Sequence, residues 1–302
     1  MDSPGRTRRI ISRDAIAASV FLSPSFVGLA VFTVVPILAA VAISLLRWDL
    51  VSPPQYVGGA NYARLWDELV TGKTLRIVLA NTIYYTVGTV PLAMGVSLAV
   101  ALLLNRNIRG VTTFRAVYFL PPLCNVAAIS LIWRWMYNPE YGVINSILGL
   151  LHLPRPGWLA SPDWAMPAVI IMSVWSSIGY NSVLFLAGLK GVERTYYEAA
   201  EIDGATVWQK FRHVTWPLLS PTTLFIFTMA IIAGFQVFGQ IYMLTDGKAT
   251  PETQVYVYNI YQEAFVSLRM GYASALACVL FSIILAVTLT QLSITKRWVH
   301  YG

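Results

Sequence analysis

The chain has 302 residues, of which 57% are hydrophobic and only 12% charged. Soluble domains carry about a quarter charged residues, so this composition, with a mean hydropathy of +0.62, excludes an ordinary soluble protein and indicates an integral membrane one. The formal net charge of +7 sits at the edges of apolar runs, without the aromatic-interleaved basic patch that marks a nucleic-acid-binding surface.

Six apolar stretches reach the roughly 20 residues needed to cross a bilayer. In chain order they are Ala15 to Leu46, Ile77 to Leu104, Ala116 to Tyr137, Trp164 to Leu189, Pro217 to Leu244 and Tyr272 to Ile294. The first follows Arg6, Arg8, Arg9 and Arg13 but runs about twice the length of a signal-peptide core. It is expected to stay as a span, bent near Pro24 or Pro36. The segment Asp49 to Arg76, with Pro53-Pro54 and Gly58-Gly59, and the segment Asn138 to Asp163 read as ordered turns and short interfacial helices. Trp48, Trp66, Trp133, Trp135, Trp158 and Trp164 lie near span ends, where an aromatic belt is expected. Cys124 and Cys278 fall inside apolar runs with no metal-binding spacing and read as small hydrophobes.

Six spans put both termini on one side. That side holds Arg6, Arg8, Arg9, Arg13, Arg106, Arg109, Arg115, Lys190, Arg194, Lys210, Arg212, Lys296 and Arg297. The other holds fewer: Arg47, Arg64, Lys73, Arg76, Arg155, Lys248 and Arg269. The excess of positive charge predicts cytoplasmic termini. Arg134, near the outer end of the third span, either snorkels to the surface or meets a charged ligand.

Between the fourth and fifth spans lies a polar island, Thr195 to Pro221. It reads as two short helices hinged at Gly204, where a helix C-terminus needs a left-handed residue. Thr195 with Glu198, and Thr206 with Gln209, each match a capping box, and Pro217 cannot continue a helix without a kink. Helices of about two turns are unstable alone, so the unit must pack on something.

The sequence has no phosphate-cradling G-x-x-x-x-G-K-[ST], no H-E-x-x-H and no nucleophile elbow. All acidic residues fall in loops or tails, whereas an ion-coupled carrier places carboxylates within the membrane. If the chain transports, its energy comes from a partner with an ATP site. A self-contained secondary carrier or channel is the alternative, and an intramembrane enzyme lacks any convergent nucleophile, base or metal set.

With Glu198-Ala199-Ala200, Gly204 after three further residues and Val214-Thr215-Trp216-Pro217 after nine more, the island resembles the cytoplasmic EAA loop of bacterial ABC-importer permeases. Val214 and Trp216 replace the family's Ile and Leu. The whole chain resembles a maltose-type first permease of the carbohydrate and glycerol-phosphate branch, through Tyr56 to Tyr62, Leu131 to Pro139, Gly142 to Asn145, Leu186 to Leu189 and Gly271 to Ala275. After Phe235 to Phe238 many relatives carry Asp where this chain has Gly239.

The resemblance implies an all-α integral membrane permease domain over residues 1–302, with six transmembrane helices and a core unit over about 77–295. It implies a cytoplasmic tail, 1–14, and a coupling loop, 191–216. Glu198, Ala199, Ala200, Asp203, Gly204 and Pro217 are the implied ATPase-coupling residues. Glu198 either pairs with a basic group on the partner or closes its own capping box. The implied partners are an ATPase dimer, a second permease forming a heterodimer, and an extracytoplasmic solute-binding protein at a bacterial inner membrane. ATP and Mg belong to the ATPase, and this chain binds no cofactor itself. Small residues such as Gly88, Gly95, Gly179, Gly188 and Gly234 allow close helix packing. Sugars need hydrogen bonds plus ring faces, so Asn125, Trp175, Tyr180, Asn181, Phe235, Gln236 and Phe238 are the candidate substrate path.

Overall fold

The computed structural model describes residues 13–72, 74–105 and 110–295; the arginines and lysines assigned above to 6–9, 73, 106, 109, 296 and 297 lie outside them. The first span is α1 (Arg13–Leu29) and α2 (Val35–Ser44), joined without interruption by a π-helical turn, Ala30–Val34. That turn ends two residues before Pro36, and Val35 N–H bonds back to the Ala30 carbonyl. Proline has no N–H and crowds the carbonyl four residues earlier, so a widened turn ahead of it relieves the clash.

A short antiparallel hairpin follows, β1 (Leu46–Arg47) paired with β2 (Gln55–Tyr56), and then α3 (Ala60–Val70). The second span is one helix, α4 (Thr74–Leu104), packed along most of its length. The third predicted span is broken. It consists of α5 (Val111–Leu123) and α6 (Val126–Met136), separated by extended backbone at Cys124 and Asn125. Pro121 and Pro122 supply no N–H to the ladder, and the Asn125 side chain restarts the helix by accepting from Ala127 N–H at 2.8 Å.

The second extramembrane segment folds into α7 (Val143–Leu150) and a 3-10 turn, Trp158–Ala160, ahead of the long α8 (Pro162–Gly191). Both loops therefore have the ordered turns and short helices the sequence predicts. The polar island comprises α9 (Arg194–Ile202), α10 (Val207–Lys210), a π-turn at Phe211–Thr215 and α11 (Trp216–Leu218). This π-turn again precedes a proline, Pro217.

After a 65° bend the chain continues as α12 (Ser220–Phe235), breaks at Gln236 to Phe238, and ends the region in α13 (Gly239–Leu244). The fifth predicted span is thus also broken. The break sends Phe235 and Val237 into different apolar clusters. Then come α14 (Tyr256–Tyr261), a π-turn at Gln262–Val266 and the last span, α15 (Met270–Thr295).

Four helical segments among the described residues are long and apolar enough to cross a membrane, and five if the bent pair before α13 counts as one. Of the six expected spans, Ala116 to Tyr137 and Pro217 to Leu244 are helix–break–helix units.

Three apolar clusters hold the bundle. One joins α4, α6, α8, α13 and α14 through Tyr137, Trp158, Met172 and Tyr258. A second joins α3, α4, α12, α14 and α15 through Leu75, Phe235, Tyr256 and Tyr272. The third, at the opposite end of α4 and α8, joins Ala101, Phe185, Leu189, Leu219 and Ile226. Small residues permit these approaches: a methyl at Gly88 would meet Ile170, one at Gly179 the Tyr118 carbonyl, and one at Gly234 Thr86. Gly95 differs, with open space beside it.

The aromatic belt is only partly as expected. Trp66 and Trp135 are exposed, but Trp133 and Trp158 are buried. They belong to a continuous chain of rings, Trp175–Trp133–Tyr137–Trp158–Trp164, with centroids 5.0–5.5 Å apart.

Candidate functional site

Two regions carry the sequence-predicted site residues. The first is the island. Helix α9 begins two residues earlier than the Thr195 capping box requires, with Glu193 at the N-cap and no side-chain cap. Thr195 is then already inside the helix, and its hydroxyl bonds to Glu193 at 3.3 Å. Glu198 pairs along the helix with Arg194 at 2.9 Å. The first capping box is therefore not formed, and the Glu198 carboxylate stays about half exposed.

The second box is present. Thr206 Oγ1 accepts from Gln209 N–H at 3.3 Å, and Gln209 Oε1 accepts from Thr206 N–H at 2.7 Å. Between the boxes, Asp203 is the C-cap of α9 and Gly204 takes φ +76°. Gly204 N–H bonds to the Glu201 carbonyl and Ala205 N–H to the Ala200 carbonyl, the paired bonds of a Schellman ending. The two helices are clasped by Lys210 donating to Glu201 at 2.6 Å. That bond and the lysine charge hold the Glu201 carboxyl below its ordinary value.

The island is nearly bare of burial. No residue of α9 or α10 is buried. Ile202 is 87% exposed, Val207 73% and Trp208 65%. Ala199 is exposed and Ala200 half-buried beside them. The unit is anchored from below, where Tyr197 and Thr215 share a hydroxyl–hydroxyl bond at 3.0 Å. Pro217 stands at the second position of α11, just before the bend, and the Ser220 hydroxyl takes the Pro217 carbonyl that Pro221 cannot.

The second region is the pair of helix breaks. They meet: α13 packs on α6, and a methyl added at Gly239 would stand 3.3 Å from Val126 Cγ1. Asn125 is exposed and serves as the α6 N-cap. Gln236 is exposed at the C-cap of α12, and Phe238 is half-buried, 5.3 Å from the rings of both Tyr242 and Tyr261. Trp175 and Tyr180 are 42% and 50% exposed on α8, Trp175 packing edge-on against Trp133. Asn181 and Phe235 instead point into packing, at 8% and 9% exposure.

Sequence reasoning missed two features here. Arg134 pairs with Asp246 at 3.2 Å, so its partner is this chain's own carboxylate. The run Tyr256–Tyr261, which lies outside the six predicted spans, is a buried helix. Tyr256 N–H bonds to Thr82 Oγ1 at 2.9 Å and its hydroxyl to the Leu276 carbonyl. Asn81 Nδ2 donates to the Pro251 and Gln254 carbonyls. The signal was available: six apolar or aromatic residues among seven, Val255 to Tyr261, with a single Asn.

No cluster of His, Cys, Asp or Glu among the described residues is arranged to hold a metal. The crystal structure of a bacterial alginate ABC transporter, in complex with an alginate pentasaccharide-bound periplasmic protein, contains a chain with the same fold. The TM-score is 0.84 over 99% of this chain and 100% of that one, at 21% identity. The fold is thus that of a type I ABC-importer permease. The chain belongs to the binding-protein-dependent transport system inner membrane component family, whose model matches residues 16–300. It is 33% identical over 302 residues to the probable ABC transporter permease protein YesP of Bacillus subtilis, covering 97% of this chain and 94% of that protein. It is 31% identical over 301 residues to the sn-glycerol-3-phosphate transport system permease protein UgpA of Rhizobium meliloti, covering 98% and 100%.

Proposed function

We propose that this permease carries a carbohydrate or glycerol-phosphate-type solute, delivered by an extracytoplasmic binding protein, and that its polar island seats in a separate ATPase subunit. The termini and the island lie in the cytoplasm in this reading, and a related second permease completes the pathway. The observation that carries it is the island itself: a rigidly capped and clasped pair of helices that leaves Ile202, Val207 and Trp208 in solvent. Large apolar side chains on a preorganised polar unit fit a protein partner, because aromatic and aliphatic anchors supply most interface energy. Ala199, Ala200 and Gly204 allow close backbone approach, and Glu198 and Asp203 offer carboxylates to basic groups. The solute would pass the meeting point of the two breaks, where Asn125, Gln236, Tyr180 and Trp175 are exposed.

The test is purification of the chain with its neighbouring subunits, followed by solute uptake into vesicles. We expect an ATPase to co-purify, uptake to require ATP, and Gly204→Val with Glu198→Ala to abolish coupling. Uptake by this chain alone, driven by an ion gradient, would overturn the reading in favour of a secondary carrier.

A further inference from the structure

A cavity of about 520 Å³ lies at the end of the bundle opposite the island, between the β1–β2 hairpin, α3 and the start of α15. Its lining includes Arg47, Arg64 and Arg269, with Trp48, Gln55 and Asp49. The walls are fixed by hydrogen bonds. Asn61 Nδ2 donates to the Ser44 and Leu46 carbonyls, and Met270 N–H bonds to the Trp48 carbonyl at 2.9 Å. Gly271 allows the hairpin to close on α15, since any side chain there would strike the Leu46 carbonyl.

The charges in this cavity are unevenly satisfied. Arg64 pairs through Nε with Glu68 at 3.0 Å and lies 4.1 Å over the Tyr272 ring. Arg269 pairs through Nε with Glu263 at 3.3 Å. Both carboxylates stand outside the cavity lining, and each pairs with its arginine at the Nε atom. Arg47 makes no ion pair among the described residues. The one acid in the lining, Asp49, is committed to its own turn: it accepts from Val51 N–H, Ser52 N–H and the Ser52 hydroxyl at 2.7–3.0 Å. Those donors also hold its carboxyl below the ordinary value, so it is a fixed anion with its oxygens occupied. Three arginines thus line a space whose only carboxylate is already satisfied, beside an indole. Guanidinium forks match the tetrahedral oxygens of phosphate, and an aromatic ring at a span end sits at headgroup level.

We propose that this cavity is a binding site for a phosphate ester, held by Arg47, Arg64 and Arg269, and distinct from the helix breaks. The ester could come from the headgroup of an anionic lipid or from a soluble glycerol phosphate, and the experiment separates them. The intact transporter, purified with its partner subunits, is placed in phosphatidylcholine nanodiscs. It is titrated with glycerol 3-phosphate at constant ionic strength, with chloride as control, and followed by thermal shift and calorimetry. In the second arm, phosphatidylglycerol is added to the disc and retained lipid is counted by native mass spectrometry.

Saturable binding in either arm, weakened roughly tenfold or more by Arg47→Gln and in part by Arg47→Lys, is the expected result. Arg47 is exposed on a two-residue strand, so its removal leaves the fold standing; Arg269→Gln provides a second reading. Glycerol 3-phosphate bound equally by wild type and Arg47→Gln marks a site elsewhere and overturns the proposal. So does the absence of binding in both arms, including the case in which Arg47→Gln impairs only docking of the binding protein.

Discussion

Two stretches of short helices interrupt the long spans, and they are built in opposite ways. From α9 to α10 the chain buries nothing and is held by local devices: a Schellman ending at Gly204, a Thr206–Gln209 box and the Glu201–Lys210 clasp. From α13 to the Gln262–Val266 turn it is held by burial: Ile241, Val255, Tyr256 and Tyr258 are each 2% exposed or less. The first stretch takes its shape from contacts within itself and offers its apolar side chains outward. The second has its shape imposed by the bundle and closes one end of it. The first is the surface proposed for another protein and the second is part of this protein's core, and substitutions separate the two.

The largest effect is expected in the buried stretch. Tyr256 is 1% exposed and spans from α4 to α15 through its backbone and hydroxyl bonds. Tyr256→Ala should cost about 3–5 kcal/mol, as large aromatic truncations in cores do, read as a lower unfolding midpoint in detergent. A midpoint near wild type would mean that α14 is peripheral. The next effect belongs to the island and should leave that midpoint alone. Ile202→Asp or Trp208→Asp, at 87% and 65% exposure, should weaken ATPase association by about 2 kcal/mol, roughly 30-fold. If either variant lowers the melting point and spares association, the assignment of the two stretches is reversed.

The helix breaks give a third, chemical test. Cys124 is exposed in the break before α6 and Cys278 is partly covered in α15. In a Cys278→Ala background, a polar thiol reagent should modify Cys124 and block uptake, with solute slowing the reaction several-fold. Modification without any loss of uptake would remove the breaks from the solute path.

The difference between the two stretches also explains what the sequence made legible. The island's devices are local, and local devices leave local signatures: Gly204 and the Thr206–Gln209 spacing identify themselves. The Thr195–Glu198 spacing is equally good, yet it lost to an Arg194–Glu198 ion pair once the helix started at Arg194. The buried stretch is non-local. Nothing between Tyr256 and Tyr261 announces that Thr82, far away in sequence, will take the Tyr256 N–H. The long spans followed from hydropathy alone, but the breaks within two of them did not. Asn125 looked like a path residue and proved also to be a helix cap. Asn181 and Phe235 have path-like chemistry but face neighbouring helices, a choice set by helix rotation that composition does not encode. The pairing of Arg134 with Asp246 depends on two helix ends meeting.

The two smallest effects lie within the island and test whether its shape is locally held. Gly204 has φ +76°, and a methyl there meets no neighbour. Gly204→Ala therefore costs only its backbone strain, about 1–2 kcal/mol. It should lower ATP-driven uptake several-fold while leaving the membrane-embedded bundle unchanged. The Glu201–Lys210 clasp is smaller still, because both groups contact solvent and exposed pairs are screened. Its sign is nevertheless fixed. The carboxyl's folded value lies below its ordinary 4.5, so the clasp's contribution is complete above 4.5 and is lost as pH falls through the lower folded value. Spin labels on α9 and α10 should report a broadening distance as pH drops from about 6 to about 3, and Glu201→Gln should show that broadening at every pH. A pH response that persists unchanged in Glu201→Gln would place the titrating group elsewhere. The hinge would then rest on Gly204 and the Thr206 cap without the ion pair.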